Sequence, residues 1–182
     1  MQVEILLKNN MRVSQLQKGE YAPYHGSYLP NIDDTYTLTE LLEVSVHEFI
    51  HFVQDIPMDK HGYRYAEGKW TIKEIIQHLI DSERVFAYRA MRIARNDTTP
   101  LPGFDENAYV AATDAEARNL KDMLTEMAMV RQSSIMLFKS FTREDMVKKG
   151  TASGFEVSVR ALGFLISAHQ NHHIKIFKER YM

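Results

Sequence analysis

Three stretches of this chain begin alike. Thr37 stands three residues ahead of Glu40, Thr71 ahead of Glu74 and Thr113 ahead of Glu116, each at the head of a run with helical periodicity. A threonine and a glutamate so spaced close a helix start between them. The hydroxyl accepts a backbone N–H of the first turn, and the carboxylate reaches back to the N–H of the threonine. With a fourth periodic run near the C-terminus, the pattern places helices over about 38–55, 72–95, 114–140 and 158–180. No strand-like alternation of useful length accompanies them. The expected fold is therefore all-α: an antiparallel four-helix bundle over 37–182, forming one domain with an irregular N-terminal arm over 1–36. The arm contains the Tyr- and Pro-rich piece YAPYHGSYLP, has no clean period and is expected to pack across the bundle, with room for a helical turn. The stretches NDTTPLPGFDEN and TREDMVKKGTASGF read as connections, the second long enough for one more turn of helix. Whether Asp105, Glu106 and Tyr109 at the end of the first form a lid is left open by the sequence.

Composition narrows the function. A chain of 182 residues, 45% hydrophobic, suits one sizeable core. Its 22 basic and 24 acidic residues are interspersed, which gives neither the basic footprint of a nucleic-acid binder nor a polybasic arm for a membrane surface. The opening MQVEILLKNN lacks a basic start followed by a long apolar run, and no stretch approaches membrane-spanning length, so a cytoplasmic location is expected. There is no cysteine, which removes disulfide frameworks, iron–sulfur clusters, thiolate zinc sites and a cysteine nucleophile together. Any thiol chemistry must borrow its sulfur. The ten methionines read as filling for a helical core.

Residues 47–51 read HEFIH, the spacing with which zinc proteases hold their metal on one helix face. Direction decides against it. Leu42, Val46, Phe49, Val53 and Ile56 form the apolar stripe of that helix; His51 points almost directly away from the stripe and His47 lies far round, so the pair looks into solvent. The last helix gives the opposite result. Its stripe is Leu162, Leu165, Ile166, Ile176 and Phe177, and His169 and His173 fall in the middle of it, with His172 at the edge. One core histidine is usually just hydrogen-bonded. Two at i and i+4 double the desolvation problem, which a shared metal solves for both. A third ligand from a facing helix is available in His78, at the margin of the stripe formed by Ile72, Ile75, Leu79, Phe86, Ala90 and Ile93. Glu83 falls inside that stripe and calls for either an arginine partner or a chemical task. Arg89 lies on the side of His78, either solvated or placed to meet an anionic substrate group.

WTIKEIIQHLIDSE around His78, the loop PLPGFDENAY and the final AHQNHHIKIFKERY together resemble the DinB/YfiT-like superfamily of bacterial four-helix bundles, from about Thr37 onward. This is the damage-inducible metal-binding family, distinct from the DNA polymerase that shares the DinB name. The resemblance implies a divalent metal on three histidines, one from the second helix and two from an H-x-x-x-H on the last: His78, His169 and His173, with His172 as an adjacent alternative. Zinc, nickel and iron all suit imidazole. Three neutral imidazoles leave a coordination position open, as a working site requires. Relatives in the wider superfamily use low-molecular-weight thiols such as bacillithiol or mycothiol. The resemblance thus implies a metal-dependent thiol S-transferase or small hydrolase acting on an electrophilic small molecule in a stress response, with Glu83 or Asp81 supporting the ligands or handling protons. It also implies a possible homodimer, for which the Val44, His47 and His51 side of the first helix is the expected contact. The alternatives are a noncatalytic metal- or ligand-binding bundle, and a bundle whose core histidines are simply bonded to Glu83 and other polar groups.

Overall fold

A computed structural model describes residues 10–182, so the opening MQVEILLKN and the first part of the expected arm lie outside the described residues. Four long helices carry the fold: α1 (Leu38–Gln54), α2 (Ile72–Ala94), α4 (Leu120–Ser140) and α6 (Val159–Arg180), with short α3 (Glu106–Ala111) and α5 (Arg143–Val147) between them. Two of the three threonine boxes cap as expected, with the Thr37 N–H donating to Glu40 and the Thr71 N–H to Glu74. The third does not. Thr113 turns its hydroxyl back to the Val110 carbonyl, 2.8 Å away, closing the end of α3. The third long helix starts instead at Asn119, whose side-chain oxygen accepts from Lys121 N at 2.8 Å. Lys73 Nζ holds the carbonyls of Glu116 and Arg118 and keeps this segment out of helix, because a carbonyl turned to a side chain is lost to the i+4 amide.

The helix directions follow from which residues meet. Leu38 lies against Gly163, Ser45 bonds Ser167 and Phe52 stacks on Phe177, so α1 and α6 run parallel. Lys73 reaches Arg118, Glu83 pairs with Arg131 and Arg95 lies over Phe141, so α2 and α4 are parallel too. Glu43 with Lys139 makes α1 antiparallel to α4, and Trp70 with Tyr181 followed by His78 with His169 makes α2 antiparallel to α6. The bundle is present, each helix has one antiparallel and one parallel neighbour, and α1 and α2 sit on opposite corners. One consequence matters for the site. Because α2 and α4 point the same way, the connection 95–119 must travel back along roughly 35 Å of helix, and it does so over the flank of α2.

The segment after α5 departs from the all-helical expectation. Lys149–Ala152 (β1) and Phe155–Ser158 (β2) pair antiparallel, Lys149 opposite Ser158 and Ala152 opposite Phe155. Ser153 and Gly154 make the two-residue turn with φ of 53° and 82°, the positive pair that matches the twist of a hairpin. The 95–119 connection joins this hairpin at its tip: Leu101 N donates to the Thr151 carbonyl and Ser153 N to the Leu101 carbonyl. The arm is irregular as expected, with three short 3₁₀ turns at Val13–Gln15, Pro23–Ser27 and Leu29–Asn31. It is fixed through Glu20, which accepts from Ser158 Oγ at 2.6 Å and Arg160 Nε at 2.7 Å.

Apolar packing divides into two clusters, one around Leu42, Phe138 and Leu165 and one around Phe49, Ile76 and Phe177. A polar layer lies between them. Arg131, 1% exposed, donates to both carboxylate oxygens of Glu83, to the Leu42 carbonyl, to Ser45 and to Gln170. Among the described residues four methionines are buried in the core and five lie on the surface, so gap-filling accounts for only part of that composition. Among the described residues, no helix is long and apolar enough to cross a membrane.

Candidate metal centre

The polar layer continues toward one flank of the bundle, and there three histidines meet. His78 comes from the second turn of α2, and His169 and His173 come from successive turns of α6 that the antiparallel crossing brings level with it. The Nε2 atoms of His78 and His173 each lie 3.1 Å from Nε2 of His169. All three ligand atoms fall within 4.8 Å of one another.

This convergence is poorly explained by hydrogen bonds. The single Nε2 proton of His169 can serve one neighbour, not two, and a lone pair there would have to be shared by both. With the protons on Nδ1, three lone pairs face a common point. Ligand nitrogens on a tetrahedral zinc, each about 2.0–2.1 Å from the ion, are separated by about 3.3 Å, close to the two short spacings seen. Burial also selects the ligating form. It lowers the pKa of His78 to about 4 and holds His169 and His173 well below the ordinary imidazole value, with repulsion among the rings adding to the effect for the latter two. The rings are neutral without any proton having to be displaced. Outside the triad, Ser82 Oγ stands 3.5 Å from Nδ1 of His78, whereas the buried Nδ1 of His173 has no hydrogen-bond partner among the described residues. The residues present fit a divalent ion.

The triad forms the floor of a cavity of about 380 Å³. Trp70, just ahead of the α2 cap, packs 4.8 Å from the His78 ring. The arm supplies Tyr24, His25 and Tyr28 as one wall, and the 95–119 connection supplies Gly103, Phe104 and Glu106 as another. Burial, reinforced by the positive charge of Arg89, lowers the His25 pKa to about 4. Burial raises the tyrosines at positions 24 and 28, and desolvation followed by Asp105 raises Glu106.

The remaining sequence candidates separate clearly. His172 is drawn off by Tyr28, whose ring stacks on it at 4.3 Å, and it stands outside the convergent group. Glu83 has the arginine partner: Arg131 occupies both its oxygens at 2.8 and 3.0 Å. Asp81 accepts from Gln77 at 3.1 Å and neighbours Arg84 at 3.5 Å, away from the residues lining the cavity. Arg89 is not solvated. It is 7% exposed and lines the same cavity as the triad. His47 and His51 are exposed, as the helix geometry requires. Of the possible lid residues, Asp105 caps α3 through Ala108 N at 3.0 Å, and Glu106 stands on the cavity wall. Tyr24, His25, Tyr28 and Trp70 escaped sequence reasoning, although the spaced tyrosines of YAPYHGSYLP and the lone tryptophan before a helix cap were the available signals.

Known proteins share this fold. A candidate metal-dependent hydrolase of Oceanobacillus iheyensis is 20% identical over 149 residues, covering 81% of this chain and 85% of that protein. YfiT of Bacillus subtilis, another candidate metal-dependent hydrolase, is 22% identical over 161 residues, covering 86% of this chain and 87% of YfiT. The solved structure of YfiT, described as a probable metal-dependent hydrolase with an unusual four-helix bundle topology, superposes with a TM-score of 0.72 at 16% identity over 90% of each chain. Residues 41–177, from the first turn of α1 almost to the end of α6, match the DinB superfamily, and the chain belongs to that family.

Proposed function

We propose that this protein is a divalent-metal-dependent hydrolase of small molecules, with His78, His169 and His173 as the metal ligands. The observation that carries the reading is the meeting of three neutral imidazole Nε2 atoms on the floor of a cavity large enough for a small substrate. Zinc, nickel or iron suits the donor set, and the ion would supply Lewis acidity and bring the pKa of water toward about 7. The chain's own residues do the rest. Trp70 and the tyrosines of the arm restrict bulk water above the triad. His25, held neutral by burial and by the Arg89 charge, lines the cleft as an uncharged imidazole that can hydrogen-bond a bound group. Glu83 and Arg131 act at a distance, fixing α2 against α4 so that the rings stay level. The expected cellular setting is the cytoplasm, with substrates that are electrophiles formed under stress.

A transferase reading shares the site. With no cysteine in the chain, the nucleophile would be a low-molecular-weight thiol entering the cleft in place of water. The first test is elemental analysis of tag-free wild type beside His169→Ala, His173→Ala and a His47→Ala/His51→Ala double variant. The expected result is near-stoichiometric metal, lost in the first two and retained in the third. Hydrolysis of an ester and amide panel, abolished by chelator and restored by metal, supports the hydrolase; turnover only with added thiol supports the transferase. Bound metal with neither activity leaves a noncatalytic metal-binding bundle. A homodimer through the Val44, His47 and His51 side of α1 is also proposed, and an unchanged solution mass in the double variant argues against it.

A further inference from the structure

Arg89 behaves unlike Arg131, the other buried arginine among the described residues, and unlike half-buried Arg160. Arg131 is paired with Glu83 and Arg160 with Glu20, whereas Arg89, 7% exposed, makes no ion pair among the described residues. A guanidinium taken out of water without a counter-charge is costly. What holds it is neutral. Its Nη2 donates to the Pro102 carbonyl at 2.8 Å and to Ser153 Oγ at 2.9 Å, and neither Nε nor Nη1 has a hydrogen-bond partner among the described residues. Of five N–H donors, three are therefore spare. They belong to a side chain that lines the cavity above the triad.

The surroundings are built to hold it. Ser153 sits at φ of 53°, a conformation uncommon for a residue other than glycine, at the tip of the hairpin that the Leu101 bridge ties to the connection. Gly103 passes so close that a Cβ there would come 3.4 Å from Ser153 Oγ. Having accepted a bond from Arg89, the Ser153 hydroxyl keeps its own proton to donate. Arg89 follows His78 by eleven residues, about 16 Å of helix rise, and helical side chains lean toward the N-terminus, which brings the guanidinium back toward the triad. The two ends of the cavity differ in kind, with a metal-ligating floor at one and a single fixed cation with a hydroxyl at the other.

We propose that Arg89 and Ser153 bind a carboxylate of the substrate, at the end remote from the bond that reacts over the triad. This rests on the hydrolase reading for the role of the other end. A phosphate is disfavoured, since one guanidinium and one hydroxyl leave a dianion undercompensated and Glu106 adds a negative group to the same wall. The class indicated is a small, elongated carboxylic acid carrying an ester, amide or similar bond several atoms from its carboxylate.

Trp70 is the one tryptophan of the chain and lines the cavity, so its fluorescence reports occupancy. The test uses full-length metal-free protein, which keeps a carboxylate from binding the ion itself and separates this outcome from failure of the hydrolase reading. Hexanoate, hexanamide and hexyl phosphate are titrated by Trp70 fluorescence and calorimetry into wild type, Arg89→Gln, Arg89→Lys and Ser153→Ala. Hexanoate should bind at least about tenfold tighter than either other probe. Arg89→Gln should erase the preference, Arg89→Lys keep part of it, and Ser153→Ala weaken hexanoate a few-fold with an unchanged circular dichroism melt. Equal binding of hexanoate and hexanamide by wild type, tighter binding of hexyl phosphate, or an intact preference in Arg89→Gln would overturn the proposal. If Arg89→Gln does not fold, the wild-type preference and its reduction in Ser153→Ala decide.

Discussion

A histidine buried as the neutral ring makes stability depend on pH in a direction that can be worked out. The His78 pKa is lowered to about 4 in the fold, against 6.5 for the free side chain. Between those values the unfolded chain binds more protons than the folded one, so stability rises with pH through that window and is lost as pH falls from about 6.5 to 4. For metal-free protein, denaturant melts should be level above about pH 6.5 and lose on the order of 3 kcal/mol toward pH 4 from His78 alone. In a His78→Gln variant the drop should shrink. Asp145, whose pKa Lys148 lowers to about 2, responds only below that window and does not obscure it. The Glu83–Arg131 pair makes a second test. Removing Arg131 strands a carboxylate that is 3% exposed, so Arg131→Ala should cost about 3–5 kcal/mol in a urea melt, whereas replacing both partners with methionine should cost much less. Residues whose direction is set by their own helix were legible in the sequence: His169 and His173 on their stripe, His47 and His51 off theirs, Glu83 inside and in need of either a partner or a task. Arg89 was not, because a loop and a hairpin tip bury it, and neither leaves a trace in the periodicity of α2.

At the level of elements, the reading succeeded where a cap and an apolar period coincide and failed where two caps competed. Thr113 and Glu116 have the right spacing, but Thr113 ends α3, and Asn119 opens α4. Asn119→Ala should therefore lower stability by about 1 kcal/mol, and Glu116→Ala, which removes only an exposed contact to Arg64, should change it by less than about half that. The hairpin escaped because its strands are four residues each and carry no sustained alternation. Only the Ser153-Gly154 pair marked it. A further constraint sits where α6 crosses the bundle: a Cβ on Gly163 would come within 2.8 Å of both Leu38 and Phe138. Gly163→Ala should cost about 1–3 kcal/mol by overpacking, despite the helix propensity it gains. Thermal melts of the variant would check this, with no change counting against so close a crossing.

For the molecule as a whole, the triad joins two helices that are far apart in the chain, so an ion bound there clamps α2 to α6. Saturating zinc should raise the unfolding free energy of wild type, by about 4 kcal/mol at a thousandfold excess over Kd, and leave His173→Ala unmoved. The bundle itself was legible from four periodic runs. Its helix directions were not, since parallel and antiparallel neighbours bury the same stripes. That order is what sends the 95–119 connection back along the outside of α2, where it forms a wall of the cavity without supplying a metal ligand. It is pinned at Leu101 by the hairpin and at Glu116 and Arg118 by Lys73, but the 103–106 stretch between those ties lies on the cavity wall, where doubling a loop costs only about 0.6 kcal/mol. A descendant of this chain can reshape its cavity by rewriting that one external stretch while inheriting the three histidines unaltered.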